Sequence, residues 1–161
     1  MIKINPFLWF DSEADQAAKF YVGIFKNSKI GEITYYPNEA AKKTGCAPGS
    51  VMTVEFTLDG EEFVALNGGP QFKFTEAVSF VVMCDTQEEV DYYWEKLTAD
   101  GGEPGQWSWL KDKFGLCWQV QPRLLIDLLG DRDKAKAERV MNAMMEMNKI
   151  DVAALETAAK G

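Results

Sequence analysis

The chain has 161 residues, with 25 acidic against 17 basic side chains, a formal charge of −8 and no histidine. The charge argues against nucleic acid or an anionic membrane as a general partner, because little in this sequence could replace the counterions on phosphates. The missing histidine excludes Ser–His and Cys–His nucleophile pairs, an imidazole base and a His-ligated metal. Any acid or base is then Asp, Glu, Lys, Tyr or Cys. The length fits about one domain, and an apolar share of 47% is enough for a buried core. The N-terminal run reads as a strand rather than a signal peptide, and no stretch approaches the roughly 18 apolar residues of a spanning helix. These features predict a cytoplasmic protein. Cys46, Cys84 and Cys117 are widely spaced with no CxxC pair. They read as reduced thiols, with Cys84 and Cys117 in apolar strand patterns that predict core positions.

In chain order, residues 2–10 read as a strand that is apolar on both faces. Ile4 and Leu8 lie on one side, Asn5, Phe7 and Trp9 on the other, which predicts cover on both sides. Ser12 with Asp15 resembles a capping box. The helix that follows carries Ala14, Ala17, Ala18, Tyr21, Ile24 and Phe25 at helical period. Residues 28–36 form a second strand, and residues 37–50 a polar loop, either a lid or a plain connector. Residues 51–58 alternate, with Met52, Val54, Phe56 and Leu58 on one face and Thr53, Glu55 and Thr57 on the other. Asp59-Gly60 predicts a hairpin turn into the strand 62–67. Gly68-Gly69-Pro70 reads as a turn, since no helix signal follows to make it a phosphate cradle.

After a linker at 71–76, residues 78–84 form another strand. Thr86 and Glu89 make a second capping box, and Val90, Tyr93, Trp94 and Leu97 mark the buried stripe of a second helix. A turn-rich break at 100–105 precedes strands at 107–111 and 115–121, joined by a solvated turn at 112–114. Pro122 ends the sheet. Helices follow at 123–129, about 133–148 and 151–160, with Val140, Met141, Met144 and Met147 as an apolar stripe suited to core or dimer contact.

The two halves repeat. An offset of 74 residues sets Asp11 on Asp85, Ser12 on Thr86, Asp15 on Glu89, Phe20 on Trp94 and Asn5 on Ser79. Agreement of period, cap and strand entry points to duplication of a strand-helix-strand-strand-strand unit.

This arrangement, with FLWFDSEADQAAKFYVGIFKNSKI, EEFVALNGGP, FTEAVSFVVMCDTQEEVDYYWEKL and WLKDKFGLCWQVQP, resembles the vicinal oxygen chelate (glyoxalase/bleomycin-resistance) superfamily. It resembles most its PhnB-like branch, which carries the name 3-demethylubiquinone-9 3-methyltransferase. The tail RVMNAMMEMNKIDVAALETA is similar to that branch as well. The resemblance implies an α+β fold of two βαβββ modules, a curled mixed sheet around a cavity, plus C-terminal helices. On this reading residues 1–161 form a single glyoxalase-like domain, with module one at about 1–70, module two at about 77–121 and the tail at about 122–160. A homodimer is implied too. Carried over by pattern, the superfamily's four metal-ligand positions fall on Asn5, near Ala65, on Ser79 and on Gln119, with Asn67 as the alternative to Ala65. That neutral set is too weak for a transition metal, so no metal and no cofactor is expected. The methyltransferase name implies S-adenosylmethionine, but the sequence lacks the Gly-rich strand-to-helix turn of the common class.

The strand parity turns Asn5, Phe7, Trp9, Asn67, Ser79, Met83, Cys117 and Gln119 toward the concave side. They line a small-molecule site or fill the interior; buried Asn and Gln need partners, which favours a ligand. Trp107, Trp109 and Trp118 offer stacking surfaces or core. Glu55 is a base or weak ligand, or else a solvated strand glutamate. The function expected is binding of a small apolar or aromatic molecule without metal, with a divergent enzyme, including the named methyl transfer, as the alternative.

Overall fold

The computed structural model describes residues 1–161. The chain divides into two compact units, Met1–Phe74 and Thr75–Gly161. The first holds β1 (Phe7–Phe10), α1 (Ala14–Ile24), β2 (Lys29–Tyr35), α2 (Asn38–Thr44), β3 (Val51–Leu58) and β4 (Glu61–Asn67). Its four-stranded sheet runs β1-β4-β3-β2, with β1 parallel to β4 and the other pairs antiparallel. The helix α1 buries Ala14, Ala17, Ala18, Tyr21 and Ile24 against the sheet face that carries Leu8, Phe10, Val54, Phe56, Phe63 and Ala65. Three alanines let the helix approach closely, and Tyr21 then stacks on Phe56 with centroids 6.1 Å apart. Burial of a side chain such as Phe56 stabilises by about 2–3 kcal/mol. Asp59 and Gly60 close the β3–β4 hairpin at φ 48° and 86°, the two left-handed residues of a type I′ turn.

The second unit repeats the plan with β5 (Ser79–Cys84), α3 (Gln87–Thr98), β6 (Glu103–Pro104), β7 (Trp109–Lys111) and β8 (Cys117–Pro122), in the sheet order β5-β8-β7-β6. Again the first and last strands of the unit are parallel neighbours. Val90 and Leu97 of α3 are buried, as are Val82, Cys84, Leu110, Trp118 and Val120 on the sheet. The tail helices α4 (Arg123–Leu129), α5 (Lys134–Met145) and α6 (Val152–Lys160) share a small core of Leu125, Leu128, Val140, Ile150 and Leu155, with Met144 and Met147 packed against it. Met141 of the expected stripe is exposed. Gln87 ties this tail down: its Nε2 donates to the Ile150 carbonyl, and its Oε1 accepts from Val152 N. Neither sheet closes into a barrel. No helix is long and apolar enough to cross a membrane.

Several local expectations are corrected. The first strand begins at Phe7, not at 2, and Ile2 and Ile4 are exposed. Pro6 has no N–H to give the ladder, so pairing starts after it, while its carbonyl still accepts from Val64 N at 3.0 Å. The 37–50 segment contains α2, ended by Gly45 at φ 74°. Its Ala and Lys residues are good helix formers, which the flanking Pro and Gly obscured. Ser12 does not cap α1; the amide of Ala14 is taken instead by Asn67 Oδ1 at 2.7 Å. Thr86 does cap α3, accepting from Glu89 N at 3.2 Å. The 112–114 turn is not merely solvated. Asp112 is 3% exposed and accepts from Phe114 N, Leu116 N and the Trp118 indole N–H.

Candidate functional site

Each sheet packs one face on its helix and leaves the other open. In the first unit the open face carries Phe7 and Trp9 on β1, Glu62, Val64 and Leu66 on β4, and Thr53, Glu55 and Thr57 on β3, alternating with the buried positions. Phe7 is exposed. Trp9 lies over the chain as it leaves β4, its indole N–H donating to the Gly69 carbonyl at 2.9 Å. A Cβ at residue 68 would stand 2.3 Å from that ring, so only glycine admits the indole there. Asn5 precedes the strand and donates to Glu62 Oε2 at 3.0 Å, while Lys3 Nζ donates to Glu62 Oε1 at 2.9 Å. These hydrogen bonds, Lys3 first, hold the Glu62 carboxyl below the usual carboxylate range.

Beside this pair lies an open cavity of about 320 Å³, lined among others by Asn5, Lys29, Gly31, Glu55 and Glu62. Gly31 sits where β2 slips out of register with β3, and a Cβ there would press on Glu55 at 3.2 Å. The bulge and the missing side chain together clear the space over Glu55. Ala65 and Asn67 are on the other face. Both are buried toward α1, and Asn67 spends its carboxamide on Ala14 N and the Val51 carbonyl. The expected placing of Asn67 on the concave side with Phe7 and Trp9 is therefore corrected: its side chain caps α1 from the opposite face of the sheet. Glu62, which the sequence reading passed over, occupies the open face next to Asn5.

In the second unit Ser79, Val81 and Met83 of β5, Glu103 of β6, Trp109 and Lys111 of β7, and Cys117, Gln119 and Gln121 of β8 share the open face by register. Ser79, Met83, Cys117 and Gln119 are thus on one side, as their parity predicts. Their polar groups form a continuous row. Gln119 Nε2 donates to Ser79 Oγ at 2.9 Å, and Gln121 Nε2 donates to Gln119 Oε1 at 2.8 Å and to Ser108 Oγ at 3.1 Å. Val81 and Met83 flank the row at 47% and 37% exposure. Cys117 is buried, and loss of solvent pushes its thiol pKa up. Trp118 faces the helix and belongs to the core, so it offers no stacking surface. Gln121 and Ser108 were missed; the i, i+2 spacing of Gln119 and Gln121 was the available signal.

The groups that the fold and the name imply do not fit these residues. Ala65 has no donor atom and lies under α1, while Ser79 and Gln119 are a hydroxyl and a carboxamide bonded to each other. Such neutral oxygens do not hold a transition metal. S-adenosylmethionine of the common class needs a Gly-rich turn opening a helix from a parallel sheet. Here Gly68 and Gly69 open no helix, and Gly68 is filled by the Trp9 ring.

The family model described as 3-demethylubiquinone-9 3-methyltransferase matches residues 2–121. The chain belongs to this PhnB-like family. Among solved structures it is similar to the PhnB protein of Bacillus cereus, at 33% identity and a TM-score of 0.63, over 75% of this chain and 99% of that one. Protein PA1353 of Pseudomonas aeruginosa shares the fold at 17% identity and a TM-score of 0.61, over 76% and 98% of the two chains. The fosfomycin resistance protein FosX of Listeria monocytogenes shares it at 18% identity and 0.51, over 75% and 90%. No curated protein matches. The PhnB-like match ends at residue 121, so the helices α4 to α6 lie beyond it.

Proposed function

We propose that this PhnB-like protein binds a small apolar or aromatic molecule on its open sheet faces, without the superfamily's metal. The observation that carries the reading is the Ser79–Gln119–Gln121 row between exposed Val81 and Met83. A few fixed polar groups set in apolar surface are the usual make-up of a small-molecule site. Asn5, Phe7 and Trp9 supply the same mixture on the first sheet. The reading includes a cytoplasmic homodimer with no nucleic-acid or membrane partner. Native mass spectrometry of the untagged protein tests it. A metal-free dimer with an organic adduct is the expected result, and one stoichiometric divalent metal per chain overturns it.

A divergent enzyme is the second reading, and the cleared space over Glu55 favours it. There Glu55 acts as a base on a substrate held in the cavity. The variant Glu55→Gln discriminates: turnover of the co-purified molecule is lost while its binding persists if this reading holds. Neither open face offers a cradle for S-adenosylmethionine, so the methyl transfer in the family's name gains no support from these residues.

A further inference from the structure

The cavity on the first sheet holds charges of two kinds, those already paired and those left over. Glu62 is paired: Lys3 Nζ and Asn5 Nδ2 donate to its two oxygens, at 2.9 and 3.0 Å. Lys29 and Glu55 line the same cavity, and neither side chain has an ion pair or a hydrogen bond. The register explains how they come to share it. Lys29 pairs with Thr57 on β3, and Glu55 stands two residues before Thr57 on the same face. The two charges are therefore diagonal neighbours across β2 and β3, roughly 7–8 Å apart at their Cα atoms. Gly31, on the bulge of β2, keeps the space over Glu55 open. At about 320 Å³ the cavity lies at the small end of ligand sites, which run from about 300 to 1,000 Å³.

The balance of the unpaired groups sets the ligand's class. A cation gains Glu55 but meets the Lys29 ammonium on the same face, and an anion gains Lys29 but meets Glu55. A molecule that carries both charges satisfies both side chains, with a charge-assisted hydrogen bond at each end. Across the sheet from Glu55 come Val64 and then the exposed Phe7, an apolar run for the rest of the molecule. We propose that this cavity takes a small zwitterion of the α-amino-acid class, its ammonium donating to Glu55, its carboxylate accepting from Lys29 and its apolar side chain lying over Val64 and Phe7. This inference rests on the binding reading above and adds, for the first sheet, the ligand's charge class. It makes Glu55 an anchor for the ligand, not the base of the second reading.

The test uses the full chain and four probes with the same ring: phenylalanine, its amide, its N-acetyl derivative and the N-acetyl amide. These carry both charges, the positive one, the negative one and none. Titrations are followed by NMR of the backbone amides of Glu55, Thr57 and Val64. Phenylalanine binds at millimolar concentration, and each of the others binds about tenfold more weakly or worse, the loss of one charge-assisted contact. The two variants cross. Lys29→Gln binds phenylalanine no better than the amide, and Glu55→Gln binds it no better than the N-acetyl derivative. Both side chains are exposed, so the resonances of α1 stay in place. Equal binding of the four probes overturns the charge class while the binding reading stands. An unchanged preference in both variants overturns the assignment to Lys29 and Glu55. If phenylalanine does not bind, the inference fails, and native mass spectrometry tells whether the reading beneath it survives. An organic adduct on the protein keeps that reading, and a chain without one means that the binding reading itself has failed.

Discussion

The two sheets have the same strand order and the same buried parity, yet they solve three local problems differently. In the first unit the helix is capped from across the sheet by Asn67, in the second from along the chain by Thr86. The register shows why. Phe10 pairs with Asn67, and the repeat places Cys84 and its partner Pro122 in the same positions. A proline cannot cap, and at that place it opens α4 instead. The hairpins differ in the same spirit. Asp59-Gly60 turns by backbone conformation without using its own carboxylate, and its Asp59 N donates to Ser28 Oγ at 3.1 Å, whereas the β7–β8 turn is built around the buried carboxylate of Asp112. The open faces diverge most: Glu55, Glu62 and Lys29 line a cavity in one unit, whereas the other carries an amide row beside Lys111 and Glu103. A duplicated fold thus preserves the pattern of burial, while caps, turns and exposed faces vary independently.

The comparison can be broken at its hairpins. Asp112→Ala leaves three donors without their acceptor, two of them backbone amides, and should cost about 3 kcal/mol or more in urea unfolding. Asp59→Asn, at the turn that works by conformation, should stay within about 0.5 kcal/mol of the parent, since Asn tolerates the left-handed region. Similar losses at the two sites would erase the distinction. At the caps, Asn67→Ala removes bonds to both Ala14 and Val51 and should cost about 2 kcal/mol, against about 1 kcal/mol for Thr86→Ala. Equal cap energies would mean that reaching across the sheet adds nothing.

The smallest effect is a pH dependence shared by both units. Glu62 is lowered by hydrogen bonds from Lys3 and Asn5, Glu76 by Lys111, and Asp91 by Lys149 and Gln87. A lowered folded pKa contributes stability above the unfolded value, and that stability is lost as pH falls through the folded one. Stability should therefore decline in acid below about pH 4, and added salt should flatten the decline, because these groups are exposed and screened. Unfolding midpoints from pH 7 to pH 2, at low and high salt, check the sign. A rise toward acid would refute it.

Much of this architecture was legible in the sequence. The alternation of Val54, Phe56 and Leu58 and the helical spacing of Ala14, Ala17, Ala18, Tyr21 and Ile24 carry the burial pattern directly, and the 74-residue repeat carries the duplication. What failed was what depends on partners distant in sequence. Asn67 has the parity of its strand, and parity correctly puts it with Ala65; the error lay in which face that set lines. The burial of Asp112 depends on the Trp118 indole reaching it, which no local pattern in a Lys-Asp-Lys turn announces. Glu62 read as the polar start of a strand, and only its contacts with Lys3 and Asn5 set it apart from Glu61.

The three cysteines have a practical consequence. Burial pushes the Cys84 thiol up to about 12 and raises that of Cys117 as well, so neither is a ready nucleophile at neutral pH. Cys46, in the segment after α2, is partly exposed. A maleimide dye at pH 7 should therefore attach at one position without any cysteine being engineered in or out. That gives the wild-type chain a single optical handle within the 37–50 segment, on which movements of that segment during ligand titration can be followed.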